Sequence, residues 1–185
     1  MKTITYITGN PRKIENAQKI LKEYGINVVQ EAMETPEIQA DDPNDVARYS
    51  AKYASEKINK PVIKMDVGFH IKALNGFPGP YIKQVNNWFE PKQILHLLEN
   101  QDNRECFFKD VICFASKEGE SRCFIQETKG NIAKEVTGEN GWGMDKIFIP
   151  DGFNKTLASM TDEERSQVWG KKHWEELADY LKSNL

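Results

Sequence analysis

A strand that passes through one short turn into a capped helix opens this chain, and it restricts the folds open to everything that follows. Lys2 to Thr8 alternates as a strand. Asn10 then supplies an N-cap and Pro11 a first-turn proline for a helix in which Ile14, Ala17, Leu21 and Tyr24 share one face. Gly25 ends that helix. A second strand follows at Ile26 to Gln30, and Asp42-Pro43 opens a second helix with Val46, Ser50, Tyr53 and Ala54 on one side. Val62 to Met65 reads as a short strand, Asn75 to Pro80 as turn chemistry and Pro91 to Leu98 as a helix. Cys106 to Ala115 and Arg122 to Glu127 read as an antiparallel pair, and a last helix runs from about Lys172 to Lys182. Helices together with adjacent antiparallel strands predict an α/β fold, a mixed sheet with helices packed on it.

A length of 185 residues suits one globular domain, and no repeat, low-complexity tract or Pro/Ser-rich linker divides it, so residues 1–185 are expected to form a single domain. With 25 Lys and Arg against 28 Asp and Glu, the net charge of -3 argues against a general binder of nucleic acid polymers. The apolar stretch in MKTITYITGN is too short for a signal peptide, and no window approaches a membrane span. The expectation is a soluble, cytoplasmic protein. Cys106, Cys113 and Cys123 form no CxxC pair and sit in apolar, strand-like surroundings, which predicts reduced core residues. His70, His96 and His173 lack zinc-site spacing.

Four places carry candidate chemistry. In Thr8-Gly9-Asn10-Pro11-Arg12-Lys13, Gly9 allows close approach of a ligand to the backbone, and a helix begins with free amide donors. Arg12 and Lys13 stand in the first turn against the helix dipole, a conflict that a bound anion relieves. The same hexapeptide also reads as an ordinary turn with solvated basic residues. Asp66, between Val62-Ile63-Lys64-Met65 and Gly68, is a carboxylate at a strand end, where α/β sheets place ligands, or else a turn-capping Asp. Glu37 lies in an irregular stretch and alone reads as solvated; together with Asp66 and Lys13 it fits magnesium-assisted phosphoryl chemistry. In Gly138 to Asp145, glycines flank Trp142, which is either a stacking platform with Asp145 beside it or a buried core residue. Arg165, Lys171 and Lys172 around Trp169 form a solvated face or the basic side of an anion pocket.

These fragments, in this order, resemble the inosine triphosphate pyrophosphatase family over essentially the whole chain. The matching stretches are Thr8-Gly9-Asn10 with Lys13, Pro36 to Gln39, Asp66 with Gly68, Ala73 to Lys83, Gly141 to Phe148 and Pro150 to Thr156. The resemblance implies an elongated α/β structure with a long mixed sheet, flanking helices and a cleft between two lobes, usually as a homodimer. It implies magnesium-dependent hydrolysis of nucleoside triphosphates such as ITP, dITP and XTP to the monophosphate and pyrophosphate, clearing deaminated purines from the nucleotide pool. Carried onto matching positions, Thr8, Asn10 and Lys13 hold phosphates, and Glu37 and Asp66 hold the metal. Asp66 also activates the attacking water. Lys83 matches a lysine after the Pro-Gly turn, Trp142 the aromatic that stacks on the base, and Asp145 the aspartate of the base pocket.

The departures fall on the base-reading side. Family members carry Ser-His-Arg before the last helix, where Trp169-Gly170-Lys171 stands here; Lys171 keeps the charge but not the bidentate fork of Arg. Met144 replaces an aromatic and Met65 an acidic residue. Two alternatives follow from these losses: a pyrophosphatase redirected to another modified nucleotide, and a non-catalytic nucleotide-binding protein.

Overall fold

In the computed structural model, which describes residues 2–185, seven strands and six α-helices follow one another in mixed order. They are β1 (Lys2–Ile7), α1 (Pro11–Lys22), β2 (Ile26–Glu31), α2 (Pro43–Ile58), β3 (Val62–Ile71), β4 (Pro78–Gly79), α3 (Ile82–Trp88) and α4 (Pro91–Leu97). After these come β5 (Glu105–Ala115), β6 (Ser121–Ile132), β7 (Phe148–Pro150), α5 (Asp162–Val168) and α6 (Lys172–Asn184). The strands hydrogen-bond in the order β2-β1-β3-β5-β6-β7, with β4 paired to β3. β1 is parallel to β2 and to β3, whereas β3–β4 and β6–β7 are antiparallel, so the sheet is mixed as expected.

The chain gathers into two compact units. The first comprises residues up to Asp66, Asp110–Gln126 and Lys171–Leu185; the second comprises Val67–Lys109 and Glu127–Gly170.

In the first unit the sheet is apolar on both faces. On one, Ile4, Tyr6, Ile63, Ile112 and Phe114 pack with Ile14, Ala17 and Leu21 of α1 and Trp174, Leu177 and Leu181 of α6. On the other, Ile7, Val62, Val111 and Cys113 pack with Ala47, Ala51 and Ala54 of α2. The period-two alternation of strands produces this division, since Tyr6 and Ile7, or Val111 and Ile112, are neighbours pointing to opposite faces. Asn10 caps α1 by accepting from the Arg12 N–H, and Asp42 caps α2 by accepting from the Asn44 N–H. In the second unit the core gathers Phe69, Ile71, Ile94, Cys106, Phe108, Phe148 and Leu157.

Several elements differ from the sequence reading. β3 and β6 run on to Ile71 and Ile132, because strand pairing carries them past the residues where local patterning fades. Asp66 therefore lies within a strand and not at its end. Helices α3 and α5 have no counterpart in the sequence reading. The signal for α5 was present in Thr161-x-x-Glu164, which forms a reciprocal capping box. The expectation of three reduced cysteines is corrected: Cys113 on β5 and Cys123 on β6 form a disulfide. The two strands turn back through Ser116–Glu120, which brings the two Cα atoms to 4.0 Å of each other, a proximity that CxxC spacing does not encode. Cys106 is free and buried.

His173 on α6 is buried beside Trp174, and neither ring nitrogen has a hydrogen-bond partner among the described residues. Burial lowers its pKa from 6.5 to about 4. Over that interval the unfolded chain takes up a proton that the folded imidazole refuses, so this contribution to stability is whole above 6.5 and lost as pH falls toward 4. Urea denaturation of the parent and His173→Gln at about pH 7 and about pH 4.5 is expected to show the stability difference moving in favour of the variant at the lower pH. A pH-independent difference counts against a neutral buried imidazole.

Candidate functional site

The corner between β1 and α1 belongs to the first unit. Thr8 is buried, its N–H donating to the Glu31 carbonyl and its carbonyl accepting from Gln30 Nε2 at 2.9 Å. Its Oγ1 accepts from the Asn10 N–H at 3.1 Å, and Asn10 Oδ1 accepts from the Arg12 N–H at 2.9 Å. Thr8 and Asn10 thus fix the shape of the turn with their own side chains. Gly9 is exposed, and a Cβ placed there would meet nothing within 4 Å, so the fold itself does not require glycine at this position. The first turn of α1 holds no acidic residue, while Arg12 is exposed and Lys13 half-buried. The corner is positive in both its helix dipole and its side chains.

Two expected carboxylates lie in the same unit. Asp66 is half-buried in β3. Glu37 is exposed in the irregular segment 32–42, which is held to α2 where Ser50 Oγ donates to the Pro36 carbonyl at 3.1 Å. Among the described residues no group of three or more His, Cys, Asp or Glu side chains gathers as a cage for a metal ion. Asp66 and Glu37 offer hard oxygen donors of the kind that magnesium accepts when phosphates and waters complete its shell.

The remaining candidates divide between the units. Lys171 is exposed at the N-cap of α6 in the first. In the second, Lys83 is exposed on α3, and Trp142 is 52% exposed, so it is no core residue. Its backbone turns through Gly141 and Gly143, with φ of 78° and 46°. A Cβ at Gly141 would lie 2.1 Å from Asp145 Oδ2, and one at Gly143 2.0 Å from Asn86 Oδ1, so the glycines provide close approach as well as backbone freedom. Asp145 Oδ2 accepts from the Trp142 N–H at 3.0 Å and pairs with Arg165 at 3.3 Å. A second Arg165 nitrogen donates to the Leu157 carbonyl at 2.8 Å. Arg165 therefore fastens the Trp142 loop to α5 through Asp145. Trp169 sets its ring edge-on to Phe108, with centroids 5.4 Å apart.

The sequence profile of the Ham1 family matches residues 4–173. The chain belongs to the Ham1 family. Among its relatives are the dITP/XTP pyrophosphatases of Methanopyrus kandleri, 39% identical with 98% of this chain and 97% of the relative covered, and of Thermococcus kodakarensis, 39% identical with 98% of each covered. The solved Ham1 protein of Staphylococcus aureus superposes with a TM-score of 0.84 at 26% identity over 100% of both chains.

Within this Ham1 chain, sequence reasoning missed Asp110. It interrupts the otherwise apolar run Val111 to Ala115 at its start, and alternation puts it on the face of Ile112 and Phe114, toward α1. Burial pushes its carboxyl from 3.8 up to about 6, and the Lys13 charge pulls the other way. Burial first, and then the negative charge of Asp110, raise the pKa of the Tyr6 hydroxyl, which is buried with no hydrogen-bond partner among the described residues. An aspartate inside an apolar strand pattern was the available signal.

Gly141→Ala is expected to cost roughly 1–3 kcal/mol, since it combines a positive φ with a collision at Asp145. Urea denaturation measures it, and unchanged stability would show that Asp145 yields freely.

Proposed function

We propose that this protein is a nucleoside triphosphate pyrophosphatase that hydrolyses deaminated purine triphosphates, ITP, dITP and XTP, to the monophosphate and pyrophosphate. The observation that carries this reading is the positive β1–α1 corner with Lys13 in the same unit as Asp66 and Glu37, in a chain of the Ham1 family whose relatives are dITP/XTP pyrophosphatases. A net charge of -3 is compatible with an anionic substrate, because the charges that meet it are local.

In this reading Lys13, the Gly9 N–H, the Thr8 hydroxyl and the Asn10 side-chain amide hold the phosphates, while Thr8 Oγ1 also keeps the turn in shape by accepting from the Asn10 N–H. Asp66 takes the proton of the attacking water as it adds to phosphorus and the bridging oxygen departs with pyrophosphate. Glu37 and Asp66 would hold magnesium, which supplies charge neutralisation on the phosphates. Trp142 gives the base a flat apolar surface, and Asp145, held by Arg165, orients that loop and offers an acceptor to the base. Lys83 and Lys171 add positive charge. The two units act as one pyrophosphatase domain, working in the cytoplasm as a homodimer.

Trp169-Gly170-Lys171 favours a second reading of the base preference only. Trp169 packs edge-on against Phe108, and its indole carries one N–H donor in place of the imidazole and guanidinium of His-Arg. Pyrophosphate release from ITP, XTP, dITP, dUTP and the ordinary triphosphates with magnesium decides between the readings. The expected outcome is turnover of the deaminated purines, lowered by roughly 10²–10⁴-fold in Asp66→Asn. Trp142→Ala is expected to raise KM by roughly 10-fold, the scale of one lost stacking contact. No turnover of any triphosphate, or an Asp66→Asn variant as fast as the parent, would falsify the mechanism.

A further inference from the structure

The first unit contains a half-buried acid that the reaction described above does not use. Asp110 opens the part of β5 that crosses this unit, two residues before Ile112 and on its face, where Ile112 and Phe114 pack with Ile14 and Ala17 of α1 and with Tyr6 of β1. Met65 of β3 lies against the same cluster and adds apolar cover. Ile14, the next residue after Lys13, is itself part of the cluster, which places the first turn of α1 over this face of the sheet. A carboxylate in such a setting is expensive to bury unless a cation answers it. Lys13 is the cation whose charge acts on Asp110.

We propose that Asp110 is a positioning residue for Lys13: its carboxylate, set in the α1 face of the sheet, orients the Lys13 ammonium for the phosphates of the substrate. The role in turnover rests on the pyrophosphatase reading; the pairing itself does not. Lysine is a point charge on a flexible stem, so a fixed counter-charge on a strand removes freedom that the phosphate corner would otherwise have to restrict at each turnover. Asp110 also carries negative charge toward an anion site, so its removal leaves binding intact or tightened while alignment suffers. That separates a positioning role from a binding one.

The charged and titratable groups facing Asp110 are Lys13 from α1 and Tyr6 from β1. On β6, Arg122 lies over the Phe124 and Tyr180 rings, and on α6 burial keeps His173 neutral. The pairing is tested by carbon-13 NMR of the side-chain carboxyls, with the Asp110 signal assigned by its loss in Asp110→Asn. Lys13→Met is expected to raise the Asp110 midpoint above its value of about 6, since an attracting cation is removed. An unmoved midpoint overturns the proposal.

For turnover, Asp110→Asn is expected to lower kcat roughly 10-fold, with KM changed less than about twofold. Introduced into Lys13→Met, the same substitution is expected to change kcat less than about twofold. An equal loss in both backgrounds, or a rise confined to KM, overturns the positioning role. If the parent hydrolyses no triphosphate, the pyrophosphatase reading fails, and the carboxyl titration still decides whether Lys13 and Asp110 are partners.

Discussion

The burial of β1 on both faces is the constraint from which the first unit follows. Ile4 and Tyr6 are fully enclosed on the side of α1 and α6, and Ile7 on the side of α2, so the strand needs parallel neighbours for its backbone and helices for both of its surfaces. Removing this apolar surface from water supplies the stabilising free energy, at roughly 25 cal/mol per Å². It also sets the chemistry, because a strand fixed in this way ends at one place. Thr8 and Asn10 turn the chain there, Thr8 Oγ1 accepting from the Asn10 N–H and Asn10 Oδ1 from the Arg12 N–H. The positive corner is the exposed end of a strand buried on both faces.

The second unit solves a different problem, keeping an exposed aromatic ring in a defined place. An indole on a loop of three glycines is entropically expensive to hold. Here Asp145 Oδ2 takes both the Trp142 N–H and an Arg165 nitrogen, and Arg165 reaches on to the Leu157 carbonyl. The close approach of Gly141 to Asp145 leaves no room for a side chain, so the loop can take few shapes. Arg165 thus steadies the Trp142 loop through its neighbour Asp145.

Legibility differed element by element, for identifiable reasons. Helices α1, α2 and α6 were visible because each carries an apolar stripe at helical spacing, and the first two carry a side-chain cap. α3 was hidden because seven residues with one buried side chain, Val85, make no stripe. The far halves of β3 and β6 were hidden because their pattern is set by pairing partners distant in sequence. Among the candidate residues, Lys13, Glu37, Asp66, Trp142 and Asp145 were proposed from motifs, which are local. Asp110 and the Asp145–Arg165 pair were not, since each gains its meaning from a residue on another element.

From the sequence alone came the α/β class, the positive strand-to-helix corner and the family resemblance, all of which depend on residues within a few positions of one another. The tertiary structure decided that Trp142 stands exposed, that Arg165 is tied to Asp145, and that Cys113 meets Cys123. Local pattern specifies turns, caps and faces because those interactions act over a few residues. Charge pairing and burial act through space, and the fold is what brings the partners together.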